Sequence, residues 1–214
     1  MKRFGQLITA FAAAAFITCT PVSQAATSQE AQALVKDTSE KVLARLKKDR
    51  EELKVYPQLI YPLVQDLVLP HFDFEKMAQW VLGPNWRTAS PHQRQRFTGE
   101  FRNLLVRTYA KALLEYTNET ITYLPLQADD SAGKVTVRTQ VEQKGSSFPI
   151  PINYSMYQKD GVWKVYDVVV DNVSLVSNYR NSFATEIRQG NLDQLIARLE
   201  SMNKKGSEKD GAGG

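Results

Sequence analysis

Residues 117–126 read TNETITYLPL, and the chain changes its period within them. Upstream of Asn118, apolar side chains recur every three or four residues; downstream, they alternate. The first period is that of a helix with one buried face, and the second that of a strand with one buried face. The fold therefore divides here, with helices before Asn118 and a sheet after it.

Upstream, SPHQRQRF (residues 90–97) starts a long helix. Ser90 can cap it, Pro91 suits its first position and Gln93 completes a capping box. Phe97, Phe101, Leu104, Leu105, Tyr109, Ala112, Leu113 and Tyr116 then mark one face. A shorter helix is predicted from Phe74 to Leu82, capped by Asp73 and ended by Gly83-Pro84. Ahead of it, YPQLIYPLVQDLVLPHF (residues 56–72) holds a single acid, Asp66. Its apolar pairs Leu59/Ile60, Leu63/Val64 and Leu67/Val68 repeat every fourth residue between Pro57 and Pro70. This stretch is too short and too interrupted to span a bilayer. The first helix is predicted from Ser28 to about Arg50, with Leu34, Val35, Thr38, Val42 and Leu46 along one side.

Downstream, strands are predicted at 119–126, 133–144, 148–158 and 162–171, with Val135, Val137, Thr139 and Val141 sharing one face. The links DDSAG, KGSS and KDG are short and turn-like, so the four strands should form an antiparallel meander. Pro149 and Pro151 predict that the third strand begins at an edge or a bulge. Helix then returns, with Leu175, Tyr179, Phe183 and Ile187 at four-residue steps. After Gly190 a last short helix carries Leu192, Leu195, Ile196 and Leu199, and the polar tail NKKGSEKDGAGG (203–214) is expected to be disordered. The class is α+β: N-terminal helices, a four-stranded or slightly larger antiparallel sheet, and C-terminal helices, in one domain over residues 26–202.

The start of the chain reads as an export signal over residues 1–25. Lys2 and Arg3 precede an apolar run from Leu7 to Ile17, and Ser23 and Ala25 suit cleavage before Ala26. Cys19 is a poor lipidation site, because Phe16-Ile17-Thr18 lacks a small residue just before it. Cleavage would remove Lys2, Arg3 and the only cysteine, leaving 25 of the 27 basic residues against 23 acidic ones. A mature chain of that length can build its own core without disulfides, and export without cysteine fits a bacterial periplasm. With nearly balanced, mixed charges there is no electrostatic case for nucleic acid.

Signatures of chemistry are missing. There is no G-x-S-x-G elbow, P-loop, Gly-rich dinucleotide turn or H-E-x-x-H. The two histidines, His71 and His92, have no partner at metal-ligand spacing. His71 reads as a packing residue at a helix end and His92 as exposed. Asp129-Asp130, followed by Ser131, Ala132 and Gly133, read as a solvated hairpin.

Two stretches together resemble one family. The first is LPHFDFEKMAQWVLGPNWRTASPHQRQRFTGEFRNLLVRTYA (69–110), with its Pro-aromatic helix end, its VLG break before Trp86 and its Ser-Pro helix start. The second is WKVYDVVVDNVSLVSNYRNSF (163–183), a W-K-x-Y-D strand leading to V-S-L at the head of a helix; Asn172 stands where relatives often have Gly. Both resemble the MlaC or toluene-tolerance family, the soluble periplasmic phospholipid carriers of the Mla pathway, which maintains outer-membrane lipid asymmetry in Gram-negative bacteria. The resemblance implies an apolar lipid pocket between sheet and helices, no catalytic residues, no metal, and no cofactor beyond the phospholipid cargo. The pocket would be lined by Leu59, Leu63, Leu67, Val68, Phe74, Met77, Val81, Phe101, Leu105, Tyr109, Val137, Ile152, Tyr154, Val168, Val170, Val173, Leu175, Tyr179 and Phe183. The implied partners are an outer-membrane lipoprotein–porin complex and an inner-membrane ABC-type lipid transporter with a ring-forming periplasmic domain. On the residues alone two other classes stay open: an interaction module without lipid cargo, and a lipid hydrolase or acyltransferase.

Overall fold

The computed structural model describes residues 27–115, 119–126, 133–142 and 148–211. The expected export signal, Cys19, Asp129-Asp130 and the links 127–132 and 143–147 lie outside these residues. Helix α1 (Ser28–Lys48) opens on a capping box: Thr27 N–H donates to the Glu30 carboxylate (2.9 Å) and Glu30 N–H to the Thr27 hydroxyl (3.4 Å). A short α2 (Arg50–Val55) follows. The run 57–71 forms α3 (Ile60–Leu67) between two 3-10 turns, Pro57–Leu59 and Leu69–His71, both of which contain a proline. Helix α4 (Phe74–Leu82) is capped by Asp73 and ended by Gly83, whose φ of 55° suits a residue without a side chain. After α5 (Pro84–Thr88), α6 (Pro91–Ala110) has the Ser90/Gln93 capping box, then tightens into a 3-10 turn at Lys111–Glu115.

The sheet is a meander in chain order, every neighbouring pair antiparallel: β1 (Thr120–Tyr123), β2 (Lys134–Glu142), β3 (Ile150–Lys159), β4 (Val162–Val170) and a two-residue β5 (Val173–Ser174). Among the described residues, the turns after β3 and β4 hold the non-glycine residues with positive φ: Asp160 (52°), Asp171 (48°) and Asn172 (65°), residue types that tolerate that region. Pro151 corrects the expectation of an edge or bulge. It lies inside the ladder, paired with Gln140 of β2. Its other side meets the end of β4, where its carbonyl accepts Asp171 N–H (2.9 Å) and no return bond is needed. The irregularity falls instead in β4, opposite the Ser155/Met156 step.

Helices α7 (Leu175–Gln189) and α8 (Leu192–Gly211) complete the described residues. The long α8 corrects the expected disordered tail over residues 203–211, and residues 212–214 lie outside the described residues. The Asn203 amide is buried and donates to the Glu100 carbonyl (3.0 Å) and carboxylate (2.6 Å) on α6. Polar composition alone does not reveal a partner on another helix. Among the described residues the core has three parts. One is all-helical: Met77, Val81, Phe97, Phe101, Phe183, Leu195, Ile196 and Leu199 from α4, α6, α7 and α8. A second joins Ala31 and Val35 of α1 to Val135, Val137, Met156, Trp163 and Val165 of the sheet. The third joins Val42 and Leu46 of α1 to Ile60, Leu63 and Val64 of α3.

Candidate functional site

The first half of α1 packs on the sheet and its second half on α3. Where the helix passes from one support to the other, a cavity of about 430 Å³ opens beneath it, within the size range of small-molecule sites. Its roof is Leu34, Val35, Thr38, Ser39, Val42 and Leu43 of α1; its floor is Ile121, Val141, Ile150, Ile152, Tyr154, Met156, Val165 and Val170 of β1 to β4. Val68, His71 and Phe72 close one side, and Ala112, Leu113, Glu115 and Glu119 the other. Ala112 and Glu115 are exposed, so the cavity reaches solvent beside them.

The floor depends on the irregularity in β4. Trp163 and Val165 point inward, and unbroken alternation would bring Asp167 and Val169 in behind them. The register steps from Ser155↔Asp167 to Met156↔Val165, which leaves Tyr166 as an extra residue. This bulge shifts the parity, so that Val168 is buried and Val170 lines the cavity. Asp167 is left on the other face, where its carboxylate accepts from the Ser174 hydroxyl (2.6 Å) and Val176 N–H (3.1 Å) at the start of α7. Thr139 also points inward, but its hydroxyl donates to the Ile152 carbonyl (2.7 Å).

A polar clasp fixes the adjoining α4. Asp73 N–H donates to the Val165 carbonyl (2.9 Å), next to a bridge between Phe72 and Val165. Its buried carboxylate accepts from Lys76 N–H (2.9 Å), the Lys159 ammonium (2.9 Å) and the Tyr157 hydroxyl. Burial alone would raise the Asp73 pKa, yet these hydrogen bonds and the Lys159 charge hold it below the ordinary carboxylate value. In the cavity wall, burial and then the charges of Lys164 and Lys41 hold His71 below its ordinary value, so it is neutral at pH 7. Among the described residues no Lys or Arg lines the cavity, and its carboxylates, Glu115 and Glu119, lie at the solvent end.

Of the nineteen side chains expected to line a pocket, Val68, Ile152, Tyr154 and Val170 line this cavity. The others lie elsewhere. Met77, Val81, Phe101, Leu105 and Phe183 are buried in the all-helical core, with Phe74 and Tyr179 packed against it. Val137 and Val168 fill the core beneath α1, and Leu175 packs on them. Leu63 is buried beside α1 and α6, with Leu67 against it. Leu59, Tyr109 and Val173 are exposed. Helical spacing marks a buried face without saying whether protein or empty space lies opposite, hence this scatter. The expectation omitted the whole α1 roof, together with Ile121, Val141, Ile150, Met156 and Val165 of the floor. The roof's signal was present, since Thr38 and Ser39 interrupt an otherwise apolar stripe.

Among the described residues no helix is long and apolar enough to cross a membrane, and no three His, Cys, Asp or Glu side chains cluster as a metal site.

Comparison with known proteins follows the same lines. The family model described as MlaC protein matches residues 36–201. The toluene tolerance protein ttg2D of Pseudomonas putida is 31% identical over 166 residues, which is 76% of each chain. The intermembrane phospholipid transport system binding protein MlaC of Haemophilus influenzae is 23% identical over 205 residues, 94% of this chain and 92% of its own. Among solved structures, the phospholipid-binding protein of Ralstonia solanacearum, determined in complex with a phospholipid, aligns with a TM-score of 0.76 at 33% identity. That alignment covers 83% of this chain and 98% of the other.

Proposed function

The chain belongs to the MlaC family, and we propose on that premise that it is a non-enzymatic carrier of glycerophospholipid, moving it between outer and inner membranes with the acyl chains in the cavity beneath α1. The observation that carries this reading is the apolar cavity itself, in a chain that aligns at TM-score 0.76 with a protein solved with a phospholipid bound. A carrier must be hollow for a physical reason. Bringing about 30 methylenes into water at roughly 0.8 kcal/mol each costs on the order of 20 kcal/mol. A dry apolar cavity removes most of that cost and makes transfer from membrane to protein nearly neutral. The headgroup stays in water beside Ala112 and Glu115, so the interior needs no charge.

In this reading residues 1–25 direct export, and the mature chain works in the periplasm from Ala26. Loading and unloading take place at an outer-membrane lipoprotein–porin complex and an inner-membrane ABC-type transporter with a ring-forming periplasmic domain. Native mass spectrometry of protein purified from the periplasm without detergent tests the proposal. The expected result is a protein starting at Ala26 with a two-chain phospholipid bound. Lipid-free protein in an intact partner complex would point to an interaction module, and release of fatty acid or lysolipid to a hydrolase.

A further inference from the structure

One hydroxyl group in the cavity wall is buried without a hydrogen-bond partner, and a second lines the same cavity. Thr38 lines the cavity from α1, and its Oγ1 is buried with no partner. A helical Ser or Thr can donate to the carbonyl four residues back. Thr108, Ser182 and Thr185 of this molecule do so, at 2.8 Å to Leu104, 3.2 Å to Asn178 and 3.2 Å to Asn181. Thr38 does not, and nor does Thr98 of α6, which lies away from the cavity. Opposite Thr38, Tyr154 of β3 lines the same cavity with its ring and hydroxyl. Burial first, and its neighbour Tyr123 next, push its pKa up to about 12, so it is a neutral O–H donor at every physiological pH. The other inward hydroxyls are occupied: Thr139 by the Ile152 carbonyl, and Tyr123 by Ser39.

A buried donor left unsatisfied is costly, and native proteins rarely tolerate one without a use. Apart from Ser39, His71, Glu115 and Glu119 the rest of the lining around these two is hydrocarbon, and none of these four is bonded to Thr38, so the acceptor is assigned to whatever fills the cavity. Alkyl chains carry none. The groups that join alkyl chains to glycerol in a diacyl phospholipid do: two ester carbonyls, placed between the apolar chains and the wet headgroup.

We propose that Thr38 and Tyr154 donate hydrogen bonds to the ester carbonyls of the cargo. They thereby set how deep the lipid sits and make the cavity selective for ester-linked over ether-linked chains. This rests on the carrier reading above. It adds a property that a cavity selecting only for apolar chains would lack, because a dialkyl ether lipid has the same chains and headgroup but no carbonyl.

The test is competitive loading. Delipidated mature protein is incubated with vesicles holding equal amounts of a diacyl phosphatidylethanolamine and its dialkyl ether counterpart of matched chain length, and the bound species are weighed by native mass spectrometry. One or two hydrogen bonds correspond to a preference of roughly three- to tenfold for the ester lipid. Tyr154→Phe and Thr38→Val should each reduce that ratio, and the double variant should bring it to about one. Melting of the delipidated variants confirms that they are folded. Equal loading by the unaltered protein, or a preference that persists in the double variant, overturns the proposal. If neither lipid loads, the carrier reading fails and takes this proposal with it.

Discussion

Asp73 shows how much can rest on one side chain. It caps α4, ties that helix to β4 through its N–H, and collects three donors on a carboxylate that is 6% exposed. Asp73→Asn keeps the shape and loses the charge, and should cost about 1.5–3 kcal/mol at pH 7, the range for hydrogen bonds to a charged group. The effect should depend on pH in one direction. The folded carboxyl titrates below its unfolded value near 4, so as pH falls the unfolded chain takes up this proton first. The stabilisation is complete above the unfolded pKa and is lost as pH falls through the folded one. Melting curves of the two proteins should therefore be separated by a constant gap from neutrality to about pH 5, and should converge below about pH 4. Half of this was legible in the sequence. An Asp before an apolar helical run reads as a cap, whereas Tyr157 and Lys159 lie 84 and 86 residues away and no local pattern joins them to it.

Among the elements, β4 and α8 departed most from the expectation. VWKVYDVVV has valine at both parities from 168 to 170, so apolar alternation fits with or without an extra residue. The bulge at Tyr166 decides which valines face the cavity. Deleting Tyr166 would remove the extra residue and leave Trp163, Val165, Val168 and Val170 in plain alternation on the inner face. It should therefore cost little more than Tyr166→Ala, which loses the ring contacts with Trp80 (5.5 Å) and Tyr157 (5.7 Å). Urea unfolding of the two variants checks this; a further loss on deletion of about 3 kcal/mol or more, the scale of two apolar side chains turned to solvent, would mean that Tyr166 is not the extra residue. In α8, Asn203→Ala should cost about 1–2 kcal/mol by leaving Glu100 without its partner, and truncation after Met202 at least as much. A tail without a docked structure would show no change in the same measurement. The helices with strong local signals, α4 between Asp73 and Gly83 and α6 behind its Ser-Pro start, match their predicted beginnings because caps act over three or four residues.

At the scale of the whole molecule, the order of helices, meander and helices followed from the change of period after Asn118, since every element buries one face and periodicity records it. The placement of the empty space did not follow. A valine facing another valine and a valine facing a cavity are the same letter in the same phase. Val137 and Ile152, both expected in the pocket wall, now separate: Val137 is fully buried in filled core, and Ile152 borders the cavity. This pair allows the most direct test of the central claim, that the cavity beneath α1 holds the cargo. The measurement is phospholipid occupancy by native mass spectrometry, read beside thermal melting of stripped protein, because bound lipid itself raises the melting temperature. Ile152→Trp fills space that lipid would occupy, so it should abolish occupancy and leave the melt of the stripped protein nearly unchanged. Val137→Trp overpacks the core, so it should lower that melt by the equivalent of about 1–3 kcal/mol. Full lipid occupancy in folded Ile152→Trp would contradict the account, because the cargo would then lie somewhere other than beneath α1.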